Sequence, residues 1–221
     1  PQGYTYVFAA GGACFFVSWL ALTLLREPAE AIIQEPISQR EYWGQLLDVL
    51  RSSANFRRYL LSQVVVSLGG MGNGFLAVYA VQQWALSDER AGRFTIALLL
   101  GQALSNIALG LLGDRKGHKL GLELSALSGA LSVALTLLAP APAWFYVIFA
   151  LNGISTTGIF LANTNIVLEI APPETRATYI GLSNTIRGVA TGIAPIVGGW
   201  LAEATGYHGL FTAALMTGVA G

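Results

Sequence analysis

Charge is what this chain has least of. Lys, Arg, Asp and Glu make up 11% of its 221 residues, where soluble domains run near one quarter, so there is too little charge to cover a water-exposed surface. Cysteine is nearly absent: the lone Cys14 excludes an intrachain disulfide and reads as a small apolar side chain. The two histidines, His118 and His208, have no cysteine or carboxylate arrangement to join them in a zinc site. There is no basic excess, because twelve Lys and Arg balance twelve Asp and Glu. With it goes the expectation of a nucleic-acid or acidic partner. No apolar stretch carries a His, Asp and Ser constellation or a set of metal ligands, which sets aside an intramembrane enzyme. No cofactor is implied.

Hydrophobicity is what the chain has instead, at 54% of residues and a mean hydropathy of +0.58. About 20 apolar residues, at roughly 1.5 Å each, cross the hydrocarbon core of a bilayer. Six runs meet that length, at about 4–25, 59–83, 92–113, 119–139, 143–169 and 176–203, and a seventh starts near Tyr207 and reaches Gly221. They are too long and uniform for the alternating strands of a barrel. The fold class expected is all-α, a polytopic transmembrane bundle of six full spans and one partial span. The first run has no basic residue ahead of it and no cleavage context, so it reads as a span and not as a signal sequence. The chain opens without Met inside one span and closes about 15 residues into another, and a fragment is the expectation.

Lys and Arg set the orientation, since short loops that carry them stay in the cytoplasm. Arg26, Arg40, Arg51, Arg57, Arg58, Arg115, Lys116, Lys119 and Arg176 fall on one side, and only Arg90 and Arg93 on the other. Loops 26–58, 114–118 and 170–175 are therefore expected to be cytoplasmic, in a multi-pass protein of the cell inner membrane. The long connection 26–58 holds Pro28 and Pro36, the acids Glu27, Glu30, Glu35 and Glu41 as a solvated face, and the amphipathic stretch EYWGQLLDVLRSS. Tyr42, Leu46, Leu47 and Leu50 are assigned to one helical face, with Tyr42 and Trp43 as interfacial anchors. A partner-binding helix is the other reading.

The string GLLGDRKGHK, at 110–119, occupies the turn between the third and fourth spans. Gly110 and Gly113 allow close backbone approach, Asp114 is suited to accept hydrogen bonds from a helix N-terminus, and Gly117 permits a positive φ. Arg115 and Lys119 supply adjacent cations. This pattern resembles the loop signature of the major facilitator superfamily of secondary transporters, with His118 where the family carries Arg or Lys. The stretch APPETRATYIGLSNTIRGVATGIAPIVGGWLAEATGYHGLF is similar to the family's later cytoplasmic loop, eleventh helix and the start of the twelfth. The resemblance covers nearly the whole chain. It implies that residues 1–25 are the last helix of an N-terminal half, 26–58 the central cytoplasmic loop, and 59–221 a C-terminal helical half cut in its last helix. It also implies that helices one to five are missing partners, and that Asp114 works as a charge-pair latch and cap at the cytoplasmic rim.

Under that resemblance a substrate cavity lies near the membrane midplane, lined by polar residues. Candidates are Gln63 and Asn73 in the second span, with Ser67, Gly70 and Gly74 recurring on the same face as Gln63. Gln102 and Asn106 follow in the third span with Ser105, then Asn152 and Asn163 in the fifth with Ser155 and Thr156, and Asn184, Arg187 and Thr191 in the sixth with Pro195. Each has a packing alternative, because amides and hydroxyls also bond neighbouring helices. Ser125, Gly129 and Ser132 of the fourth span are assigned to packing. Gly69, Gly70, Gly72 and Gly74 either loosen the second span or permit tight contact. Pro195 with Gly198 and Gly199 predicts a kinked, closely packed sixth span.

Arg187 is the one basic residue inside a span. Such a charge costs several kcal/mol unless it meets water, an acid or a ligand, so it either recognises an anionic or polar solute or forms a structural ion pair or snorkels. Glu123 and Glu169 lie near cytoplasmic helix ends, where pairing with nearby cations or exposure to water is expected. No carboxylate is placed to carry a coupling proton. The function expected is secondary transport of a small solute, with a proton or sodium ion as a candidate coupling partner and export of amphipathic compounds as one candidate activity. A transporter-like sensor or scaffold that binds without moving its ligand is the alternative.

Overall fold

A computed structural model describes residues 2–25 and 39–221, apart from the side chains of residues 2–4, 39–43, 45 and 88. Arg26, Pro28, Pro36 and the acids Glu27, Glu30 and Glu35 lie outside the described residues, as do the side chains of Arg40, Glu41, Tyr42 and Trp43. The chain divides into two units, residues 1–41 and 42–221. In the first, α1 (Gln2–Thr23) is one unbroken helix without a charged residue, and Thr5–Thr23 is long and apolar enough to cross a membrane.

The second unit starts within α2 (Gln39–Ser52) and continues through α3 (Ala54–Gly69), a 3-10 turn (Gly70–Phe75), α4 (Leu76–Trp84), α5 (Asp88–Lys116), α6 (His118–Leu138), α7 (Trp144–Ile170) and α8 (Arg176–Ala220). Four stretches here also meet the length and apolarity of a membrane span: Ala54–Trp84, Glu89–Lys116, His118–Leu138 and Trp144–Ile170. The sixth and seventh runs of the sequence make up α8, broken at Gly206, where φ is 75° and ψ is 175°. Its two limbs, 176–205 and 207–220, fold back on one another. Tyr179 of the first limb packs at a tilt against Phe56 near the start of α3, with ring centroids 4.4 Å apart. The second limb runs the other way, from Tyr207 beside Tyr79 to Gly221, whose carbonyl accepts from Ser62 Oγ at 2.9 Å. The chain is all-α among the described residues.

Local chemistry explains the joints. Ser53 caps α3, its hydroxyl accepting from Phe56 N at 3.2 Å. Arg57 Nη1 donates to the carbonyls of Leu50 and Arg51, at 2.7 and 2.9 Å, so a cation closes the negative end of α2. Apolarity alone started the second span near residue 59. These caps start the helix at Ala54. A single residue, Gly117, separates α5 from α6, and its φ of 86° is the positive value expected of it. Across the same turn a Cβ on Gly113 would lie 2.7 Å from His118 Cδ2, whereas Gly110 has only Leu161 Cδ2, at 4.0 Å. Gly113 makes room for the His118 side chain and Gly110 for nothing closer than Leu161, so neither meets the neighbouring backbone expected of it. Helical φ and ψ continue through Pro195, and the reversal comes at Gly206.

Apolar packing gathers in two clusters. Near the arginine-rich end, Val49, Phe56, Tyr59, Leu60, Ile166 and Tyr179 are buried together. Toward the other end Tyr79, Phe94, Phe145, Leu210 and Phe211 form an aromatic-rich core. Val49 corrects the expected face of α2: Leu46 and Val49 are buried while Leu47 is 51% exposed, because residues three apart share a helical face and adjacent residues do not. Small residues set the helix spacing. Ser132 Oγ donates to Ile148 O and Ser105 Oγ to Ile154 O, both at 3.0 Å, which fixes α7 against α6 and α5. A Cβ on Gly158 would overlap Ser125 Oγ. Ser125 and Ser132 are thus the packing residues the sequence suggested.

Candidate functional site

The glycine-rich turn shapes the site. From Gly70 to Phe75 the second span tightens from α to 3-10 geometry, and the same glycines let the other helices close in. A Cβ on Gly69 would lie 2.6 Å from Gly218 Cα, and one on Gly72 would lie 3.1 Å from Phe211 Cδ1. The tight-packing reading of the glycine cluster holds at Gly69 and Gly72. The change of helical pitch turns Asn73 toward a cavity of about 530 Å³ bounded by α3, the 3-10 turn, α6, α7 and both limbs of α8.

The wall is mostly apolar, with Val66, Met71, Val133, Ile159, Phe160 and Ala194 prominent, and Asn73, Ser67, Ser155, Thr156, Arg187 and Thr191 add polar groups. Arg187 is half-buried. Its guanidinium carbon stands 5.6 Å from the centroid of the Phe160 ring, a cation–π arrangement. None of the ion pairs among the described residues includes Arg187, so the structural ion pair weighed from sequence is not formed there. Asn73 Oδ1 accepts from Asn152 Nδ2 at 3.0 Å, leaving the Asn73 amide N–H groups free to donate. Thr156 and Thr191 donate to carbonyls of their own helices, Asn152 O at 2.9 Å and Arg187 O at 2.8 Å.

The structure sorts the remaining candidates. Asn73, Arg187 and Thr191 line the cavity, and Asn152 supports Asn73 from behind. Gln63 and Asn163 do not reach it: they bond each other through both amide ends, and Tyr59 Oη donates to Asn163 Oδ1 at 3.3 Å. These two side chains, 1% and 4% exposed, join α3 to α7. Gln102 and Asn106 sit on α5, which contributes nothing to this wall, and Asn106 is exposed and donates to Gln102 O at 3.2 Å. Asn184 is exposed on the first limb of α8. Gly129, assigned to packing, lines the cavity as well. Phe160 was missed, because its closeness to Arg187 spans two helices and leaves no local pattern.

In the 110–119 turn Asp114 and Arg115 are exposed, and no side-chain hydrogen bond of Asp114 occurs among the described residues. The N-terminus of α6 carries no side-chain cap, so Asp114 does not cap it. His118 Nδ1 instead donates to Glu169 Oε1 at 2.6 Å, tying α6 to the end of α7, and Lys119 stands 3.5 Å from Glu123. Glu123 has the cationic neighbour anticipated for it, and Glu169 has an imidazole in place of one.

A bundle of spanning helices around a mainly apolar cavity with a few inward polar groups defines a multi-pass membrane protein with a small-molecule-sized internal site. A family model described as Major Facilitator Superfamily matches residues 59–221, and the chain belongs to that family. It is similar to the efflux pump patC of Aspergillus clavatus, with 27% identity over 80% of this chain and 31% of the relative. It is also similar to the niacin transporter NiaP of Acinetobacter baylyi, with 26% identity over 65% of this chain and 34% of the relative. A third relative is the MFS thioclapurine efflux transporter tcpA of Claviceps purpurea, with 28% identity over 59% and 24%. The chain spans about a third or less of the length of these relatives. No solved structure matches it.

Proposed function

We propose that the protein containing this chain is a secondary active transporter that moves a small solute by alternating access, and that the 530 Å³ cavity beside Arg187 is one wall of its solute site. The cavity carries this reading: it has the volume and the apolar wall with sparse polar anchors that small-molecule sites use, in a chain of the Major Facilitator Superfamily. The relatives are named for efflux, for niacin transport and for thioclapurine efflux. Solute movement is common to the three names and the solute is not. Residues 59–221 serve as the C-terminal half, 26–58 as the connecting loop and 1–25 as the last helix of the other half. The arginine-rich ends face the cytoplasm, as the positive-inside rule requires. The cavity wall contains no Asp or Glu, so we place proton or sodium coupling on residues beyond it. Asp114, uncommitted at the rim, is assigned to a latch against the other half that closes the cytoplasmic side.

The test is reconstitution of the full-length protein in proteoliposomes. Solute flux that follows an imposed proton or sodium gradient is the expected result. Ligand binding without flux would turn the reading to a sensor. Asp114→Asn is expected to shift labelling of cavity positions toward cytoplasmic access, and unchanged accessibility would remove the latch.

A further inference from the structure

We infer that the cavity selects a monoanionic amphipathic solute, a carboxylate or similar acceptor-only head on an apolar body; this rests on the reading of the cavity as a solute site. The residues that line it include no Asp, Glu, Lys or His, so Arg187 holds the only formal charge on the wall. That charge is half-buried, lies against the face of Phe160 at 5.6 Å and has no carboxylate partner among the described residues. An unpaired guanidinium beside an apolar surface is costly, and its fork of N–H groups matches a carboxylate better than any neutral group.

The second polar anchor points the same way. Asn73 is held by Asn152 through its acceptor oxygen, so the group it offers the cavity is a pair of donors. Thr156 and Thr191 have turned their protons to backbone carbonyls and present only neutral hydroxyl oxygens. On this wall a solute ammonium would meet Arg187 with nothing anionic to offset the repulsion. An anion would meet a cation and an oriented amide. The body of the solute is set by the rest of the wall, where Val66, Met71, Val133, Ile159 and Ala194 give an apolar lining and glycines keep it wide. Phe160 is 61% exposed, with the guanidinium 5.6 Å from its ring centroid. That surface is the place for a flat or short aliphatic body to extend.

Matched probes test this on the purified full-length protein: benzoate and hexanoate, their amides, and benzylammonium and hexylammonium, with binding measured by calorimetry and thermal shift. The carboxylates are expected to bind about tenfold to a hundredfold more tightly than the amides, and the ammonium ions not to bind. Arg187→Ala is expected to abolish that preference, and Arg187→Lys to keep part of it. Thr191→Asp places a carboxylate one helical turn from Arg187 without removing it, and is expected to cancel the preference in a protein that still has its arginine. Equal or tighter binding of amides or ammonium ions overturns the inference. So does the absence of carboxylate binding, or a preference that survives both Arg187→Ala and Thr191→Asp. Carboxylate binding without flux in proteoliposomes overturns the transport reading and leaves the anion site standing. Flux of amides or ammonium ions without carboxylate binding does the reverse.

Discussion

Gln63 and Asn163 show what an amide does in the middle of such a bundle. Each satisfies the other, and Tyr59 adds a third contact, so removing one side chain strands a buried polar group. Gln63→Leu or Asn163→Leu alone is expected to cost about 1–3 kcal/mol, and the double variant less than the sum. Thermal unfolding in detergent reads this cycle. Gly153 is a second sensitive residue, because a Cβ there would overlap the Leu98 carbonyl and lie 3.0 Å from Gln102 N. Gly153→Ala is expected to force α5 from α7 at a cost of about 1–3 kcal/mol, while Gly121→Ala, with no atom within 4 Å, should leave the unfolding midpoint unchanged or raise it. The sequence identified the polar residues but not their partners. Helical period assigns Gln63 and Asn73 to faces of one span, yet only the tertiary contact shows that Asn163 takes the first and the cavity the second.

Among the elements, the ends were harder to read than the spans. Apolar runs located α5, α6 and α7 to within a few residues, because length and hydropathy alone define a crossing. Caps and breaks depend on single residues. Gly117, at φ 86° and ψ 154°, and Gly206, at φ 75° and ψ 175°, occupy backbone regions open almost only to glycine. Gly117→Ala and Gly206→Ala are each expected to cost about 1–3 kcal/mol, and asparagine should not rescue either, since it tolerates the left-handed helical region and not these ψ values. Ala85 is the converse: it ends α4 at φ 47° and ψ 47°, a left-handed position that favours glycine. Ala85→Gly is expected to raise stability by up to about 1 kcal/mol, read as a higher unfolding midpoint. No glycine marks that helix end, so the sequence had no sign of it.

For the whole molecule, charge placement and cavity chemistry make separate claims. In a cysteine-free background of the full-length protein, Cys14→Ser included, a cysteine replacing Lys116 is expected to react with an impermeant maleimide only from the cytoplasmic side, and one replacing Arg90 only from the opposite side. Labelling of both from one side would reverse the orientation. The family was legible because it depends on apolar runs and on one short loop, whereas the cavity needed five elements brought together across more than 150 residues. The one-residue joint at Gly117 also bears on how the protein is made. The 29 residues of α5 and the 21 of α6 share no slack, so during synthesis the end of α5 cannot settle in the bilayer while α6 waits elsewhere. With the proposed orientation, the two are expected to enter the lipid as a hairpin whose basic bend stays on the cytoplasmic side.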